Sequence, residues 1–148
     1  MIKLREAAKF YTTIFKNSKL GKVTRYGEAG PGPKGIAMTV TFKLDGNRIH
    51  RAQRRPTLHF LTEAISFVVN CKTQREVDYY WERLSEGEEK GRSGWLKDKY
   101  GLSWRIVPDI VGKCLADKDP AKSRRVMKAI LEMDKIDVKR LKQAYQGK

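Results

Sequence analysis

Apolar positions along this chain recur with two alternating periods, and the changes between them mark its elements. Leu4, Ala7, Ala8, Tyr11, Ile14 and Phe15 fall three and four apart, which places them on one helical face. Asn17-Ser18 and then Gly21 supply the stop. GKVTRYGE can form a strand, and the loop GEAGPGPKG leads into IAMTVTFKLDG. There Ile36, Met38, Val40, Phe42 and Leu44 alternate with Ala37, Thr39, Thr41 and Lys43, the period of a half-buried strand, and Asp45-Gly46 predicts the turn out. The same loop spells G-x-G-x-x-G through Gly30, Gly32 and Gly35. A dinucleotide site needs that motif to follow a strand and open a helix, whereas here Pro31 and Pro33 fill the gaps and a strand follows. A connecting loop is the better reading.

The second half repeats the scheme. AISFVVNC, residues 64–71, predicts a buried strand, and Thr73 with Glu76 forms a capping box. The helix that follows presents Val77, Tyr80, Trp81 and Leu84 on one face and ends at Gly87. In GWLKDKYGLSWRIVP, residues 94–108, Trp95 and Leu96 precede a polar turn, and Leu102, Trp104 and Ile106 alternate after it, which is a hairpin pattern. Asp119-Pro120 reads as an N-cap with proline in the first turn, opening a helix with Met127, Ile130 and Leu131 as its buried stripe. Asp137 can cap a last short helix through Val138, Leu141 and Tyr145.

Shifted by seventy residues, the first helix falls on the one after AISFVVNC. Arg5-Glu6 meets Arg75-Glu76, Ala7 meets Val77, Phe10-Tyr11 meets Tyr80-Trp81, and Ile14 meets Leu84. Two copies of one helix-plus-antiparallel-strand unit are expected. The counterpart of AISFVVNC in the first copy would precede Met1, so the expectation is either a first unit one strand short or a chain that starts late.

Composition narrows the class. With 148 residues, 40% of them hydrophobic, the chain can bury a core. It has no apolar run long enough to span a bilayer and no signal-peptide centre, so a cytoplasmic protein without membrane contact is expected. Cys71 and Cys114 stand forty-three residues apart with no C-x-x-C spacing, which predicts reduced, packed thiols. The net charge of +15, from 32 basic and 17 acidic residues, would attract phosphate polymers. Its bases are spread along the chain, however, and alternate with apolar positions after residue 113, as on solvated helix faces. Weak, nonspecific nucleic-acid binding is the most that charge implies.

Four ordered stretches carry a resemblance: EAAKFYTTIFKNSKLGKVTRYGEAGPGPKG, EAISFVVNCKTQREVDYYWERLSEG, GWLKDKYGLSWRIVP and DPAKSRRVMKAILEMDKIDVKRLKQAYQG. The chain resembles the PhnB-like branch of the vicinal oxygen chelate superfamily, the glyoxalase and bleomycin-resistance fold, whose members are often labelled 3-demethylubiquinone-9 3-methyltransferase. The resemblance implies an α+β chain of two tandem βαβββ modules, paired in a homodimer, with a pocket inside each curled sheet. On this chain that gives module one over 1–61 without its first strand, module two over 62–110, and a C-terminal helical extension over 119–146.

One segment departs from the family. Where relatives carry an apolar strand running into a glycine turn, resembling F-I-A-L-N-G-G-P, this chain has RIHRAQRRP, residues 48–56. One legal spelling of the codons from His50 to Phe60, read one nucleotide later, gives Ile-Ala-Leu-Asn-Gly-Gly-Pro-Pro-Phe-Thr. Residues 49–61 are therefore read as out of frame. Burying Arg48, His50, Arg51, Arg54 and Arg55 unpaired would cost several kcal/mol each, so the strand is expected to be frayed or displaced.

The resemblance also implies a divalent metal held by His and Glu in those superfamily members that are enzymes. The only histidines, His50 and His59, lie in the divergent segment, so no metal ligands and no cofactor are assigned. Nothing offers the glycine loop and ribose-binding acid of a nucleotide-type cofactor, and neither cysteine has a base to activate it. The ligand pocket is placed on the GWLKDKYGLSW hairpin: Trp95 and Trp104 as flat faces for a ring, Asp98 as a carboxylate, and Arg105 as a cation. Three functions stand open: a metal-free binder of an unidentified small molecule, which is favoured; a superfamily enzyme; and a basic nucleic-acid-binding protein.

Overall fold

The first apolar stripe forms the helix it predicts: α1 (Leu4–Ile14) buries Leu4, Ala7, Ala8, Tyr11 and Ile14. Asn17, at φ 49°, turns the chain out of it. The computed structural model describes residues 4–28, 33–52, 66–86 and 91–148, without the side chains of 50–52. They fall in two units, Met1–Phe60 and Leu61–Lys148. Gly30 and Gly32 lie outside the described residues.

In the first unit α1 is followed by an antiparallel sheet, β1 (Lys19–Arg25), β2 (Ala37–Leu44) and β3 (Asn47–Ala52), in the order β1-β2-β3. α1 packs on β2, where Tyr11 stacks on Phe42 with ring centres 6.3 Å apart. Val40, Phe42 and Leu44 are buried, as their alternation predicts. Ile36 and Met38 are not. The β1–β2 register shifts between Thr24 and Arg25, which pair with Thr39 and Ala37, so Met38 has no partner in β1 and Ala37 takes the inward place.

The expectation for the arginine-rich strand is corrected over its first part. Asn47–Ala52 pairs without interruption against Leu44–Thr39. Asp45 (φ 47°) and Gly46 (φ 79°) form a turn with both central residues left-handed, which matches the twist of a two-residue hairpin. Backbone pairing is indifferent to side-chain charge, and Arg48 is exposed, so no guanidinium there is stranded in a core. Residues 53–61, with Arg54, Arg55 and His59, and the side chains of His50 and Arg51, lie outside the described residues.

The second unit runs β4 (Ser66–Cys71), α2 (Gln74–Leu84), β5 (Trp95–Lys97) and β6 (Ser103–Pro108), then α3 (Ile110–Leu115), α4 (Pro120–Leu131) and α5 (Val138–Gln146). Its sheet order is β4-β6-β5, with β4 parallel and β5 antiparallel to β6. The capping box holds α2: the Glu76 amide donates to Thr73 Oγ1 (3.2 Å), and the Glu76 carboxylate accepts from the Lys72 amide (2.7 Å). α1 and α2 each span eleven residues and start seventy apart, and the matched pairs Ala7/Val77, Tyr11/Trp81 and Ile14/Leu84 are buried in both. Two strands rather than three follow α2 among the described residues. Pro108 has no amide hydrogen with which to continue a ladder, and the chain turns into α3 at Asp109.

Two buried-residue expectations are also corrected. β4 buries only Val69 and Cys71: Val68 is on the face that α2 does not cover, and Phe67, on the covered face, lies at its margin. On α4 the inward residues are Val126 and Ile130. Met127 is 43% and Leu131 59% exposed. Val126 and Ile130 meet Val111 and Cys114 of α3, Met133, Ile136 and Leu141 in one apolar cluster, and two residues spaced by four supply that contact where a wider stripe is not needed. Asp119 and Asp137 cap α4 and α5 as predicted, accepting from the amides of Ala121 (2.8 Å) and Arg140 (2.9 Å).

Polar ties fasten this cluster to the rest of the second unit. The Gln74 amide donates to the Ile136 carbonyl (3.2 Å) and accepts from the Val138 amide (2.8 Å). The amides of Ser93 and Gly94 donate to the carbonyls of Met133 (2.6 Å) and Asp134 (2.8 Å). Lys135 pairs with Asp78 at 2.6 Å, and its ammonium holds the Asp78 carboxyl below the usual range.

Candidate functional site

Side chains alternate across β4, β6 and β5, so the second sheet has two chemically different faces. Val69, Leu96, Trp104 and Ile106 share the buried face, with Phe67 at its margin. Ser66, Val68, Asn70, Trp95, Lys97, Ser103, Arg105 and Val107 share the other. Register then lines up one row across three strands, because Val68 pairs with Arg105 and Arg105 with Trp95.

The four sequence-predicted residues divide between these environments. Trp95 and Arg105 come together on the open face. The Arg105 guanidinium carbon lies 5.5 Å from the centre of the Trp95 ring, and Trp95 remains 39% exposed, a cation–π geometry. Arg105 Nε is buried and has no hydrogen-bond partner among the described residues. Buried donors are nearly always satisfied, so this atom is a donor still to be paired. Val68, 56% exposed, stands on the other side of Arg105. Sequence reasoning missed it by reading AISFVVNC as wholly buried; the signal available was its parity with Ser66 and Asn70, two polar residues.

Asp98 and Trp104 are buried, apart from the open face that carries Trp95 and Arg105. Asp98 is 1% exposed, with Oδ1 accepting from the amides of Tyr100 (2.8 Å) and Leu102 (3.0 Å) and Oδ2 from Trp104 Nε1 (2.8 Å). Its backbone amide also donates to the Leu102 carbonyl (3.0 Å), and its carbonyl accepts from the Gly101 amide (2.7 Å). Both carboxylate oxygens are thus committed to closing the β5–β6 turn and seating the indole. Trp104 is buried, 5.5 Å from the Phe67 ring.

The open face does not suit a divalent metal. Among the described residues it presents no carboxylate or imidazole, and a guanidinium occupies its middle row. Among the described residues no three His, Cys, Asp or Glu side chains could hold a metal ion, and no step is derived through one. The thiols are no better as nucleophiles. Burial, reinforced by Glu76 and Asp109, pushes Cys71 from 9.0 up to about 12, and burial with Asp117 raises Cys114. A thiol whose folded value is raised contributes stability in full below its unfolded value and loses it as pH climbs towards the folded one. The denaturant midpoint is accordingly expected to carry a Cys71 component that fades between pH 9 and about 12; a Cys71→Ala variant with the same alkaline profile would contradict it.

Among the described residues no helix is long and apolar enough to cross a membrane. The family model described as 3-demethylubiquinone-9 3-methyltransferase matches residues 2–107, a span that holds both sheets and ends before α3. A putative 3-demethylubiquinone-9 3-methyltransferase, a PhnB protein from Bacillus cereus, is 33% identical over 72% of this chain and 91% of its own, with a TM-score of 0.61. Protein PA1353 from Pseudomonas aeruginosa is 18% identical over 71% of this chain and 90% of its own, with a TM-score of 0.54, a likeness of fold. No curated protein matches significantly. With two small sheets, C-terminal helices and a family match across both sheets, this α+β chain belongs to the PhnB-like, glyoxalase-fold family labelled 3-demethylubiquinone-9 3-methyltransferase.

Proposed function

We propose that the second unit binds a small organic anion on its open sheet face, without a metal, and that Arg105 and Trp95 are its anchor and platform. The observation that carries this reading is the buried Nε of Arg105, unpartnered among the described residues, beside an exposed indole. A carboxylate would supply the missing acceptor in a charge-assisted pair, and a planar group attached to it could lie along Trp95. Ser66 and Ser103, paired across β4 and β6 one step along the strands, offer neutral hydrogen-bonding groups nearby. The described residues of this face are a guanidinium, a lysine, an indole and neutral side chains, a set suited to binding.

Titration with small aromatic carboxylates such as benzoate, followed by tryptophan fluorescence, tests this. Saturable quenching is expected, lost in Trp95→Leu. Arg105→Ala should weaken binding roughly 10- to 100-fold, as removal of one charge-assisted interaction does. Equal affinity in Arg105→Ala, or no quenching by any carboxylate, would overturn the reading.

A further inference from the structure

We propose a second small-molecule site in the C-terminal helices, for a monocarboxylate with a short aliphatic body. Between α3 and α5 lies a cavity of about 250 Å³, lined by Ile110, Lys113, Cys114, Lys142, Tyr145 and Gln146. None of these residues belongs to the sheet face, and all lie beyond residues 2–107, the span of the family match.

The lining has the two chemistries such a ligand needs. Its floor is apolar: Cys114 is part of the buried cluster of α3, α4 and α5, and Ile110 and Tyr145 pack against that cluster. At the mouth stand the exposed Lys113 and Lys142, one from each helix, with the amide of Gln146. No acid lines the cavity. Asp117, whose carboxylate bears on Cys114, accepts from the Tyr145 hydroxyl and lies 3.9 Å from the Lys122 ammonium, which offsets its charge. Lys122 also sits over the Tyr145 ring, 4.9 Å from its centre, which fixes the wall from behind. α4 and α5 together carry seven bases and no acid, and this makes the local field favourable to an entering anion. The cavity is smaller than the ~300 Å³ at which drug-sized pockets begin, so a chain of a few methylenes suits it better than a fused-ring ligand.

Octanoate is the probe, titrated into the intact chain by calorimetry and by amide-shift mapping. Saturable binding is expected, with shifts confined to residues 110–117 and 141–147. Lys113→Gln/Lys142→Gln should weaken it roughly tenfold or more. Both lysines are exposed, so the fold is kept, and an unchanged thermal midpoint checks that. Octan-1-ol should bind far more weakly than octanoate, and Arg105→Ala should leave octanoate binding unchanged, which separates this site from the sheet face. Equal affinity of the double variant, equal affinity of the alcohol, loss of binding in Arg105→Ala, shifts elsewhere, or no binding at all would each overturn the proposal.

Discussion

Replacing Asp98 with alanine is expected to destabilise the second unit by roughly 3–9 kcal/mol, at about 1–3 kcal/mol for each donor left unsatisfied. Three donors lose their acceptor together: the amides of Tyr100 and Leu102 and the indole N–H of Trp104. The Leu102 amide and the indole are buried, so water cannot take over without opening the hairpin. Against a total domain stability of about 5–15 kcal/mol, that is close to unfolding. Asp98→Asn should cost less, about 2 kcal/mol, because its oxygen still serves the two amides while its NH2 opposes the Trp104 N–H, leaving one buried donor unmet. Urea denaturation followed by tryptophan fluorescence measures both. The order alanine, then asparagine, then wild type is the expected outcome. A change under ~0.5 kcal/mol for alanine would mean that the carboxylate does not hold the turn, and Asp98 would return as a candidate ligand.

Two glycines with nearly the same backbone angle should behave quite differently. Gly94 has φ +81°, and a methyl group added there would lie 2.6 Å from the Ile106 carbonyl oxygen and 3.0 Å from Ile136 Cδ1. Gly101 has φ +77° with nothing within 4 Å of the same position. Gly101→Ala therefore meets only the left-handed backbone penalty of about 1–2 kcal/mol. Gly94→Ala meets that penalty and a clash with backbone that cannot rotate away. It must also disturb the Gly94–Asp134 and Ile106–Gly94 hydrogen bonds, both 2.8 Å. A loss of about 3 kcal/mol or more is expected for Gly94→Ala. Thermal unfolding of the pair decides it, and equal losses would show that φ alone governs both positions.

How far the sequence was legible depends on whether a feature is local. The helices, their caps and the Asp45-Gly46 turn follow from neighbours in the chain, and Thr73, Asp119 and Asp137 do what their positions predict. The seventy-residue offset was visible because the apolar faces of α1 and α2 use the same spacing. Failures came where pairing decides burial. No one-dimensional pattern shows that β1 and β2 slip register at Met38, or that only one side of β4 is covered. The strand with Arg48 was misjudged for a related reason: its charge was weighed against an inward face, whereas an exposed side chain leaves the backbone free to pair. In the candidate site, the Trp95–Arg105 pairing needed the β5–β6 register. Asp98 and Trp104 drew attention as chemistry, yet their residue types suit a buried carboxylate that collects N–H donors equally well.

The ties at Gln74, Ser93 and Gly94 have a bearing on where this protein can be cut. A fragment trimmed at residue 107, where the family model's match stops, would strip acceptors from four groups in the portion retained, the side chain of Gln74, the amides of Ser93 and Gly94 and the Ser93 hydroxyl, and bare the side of Gly94 against which Ile136 rests. The end of the matched span is thus not a clean place to cut: the helices beyond it supply hydrogen-bond acceptors and packing to residues that precede it.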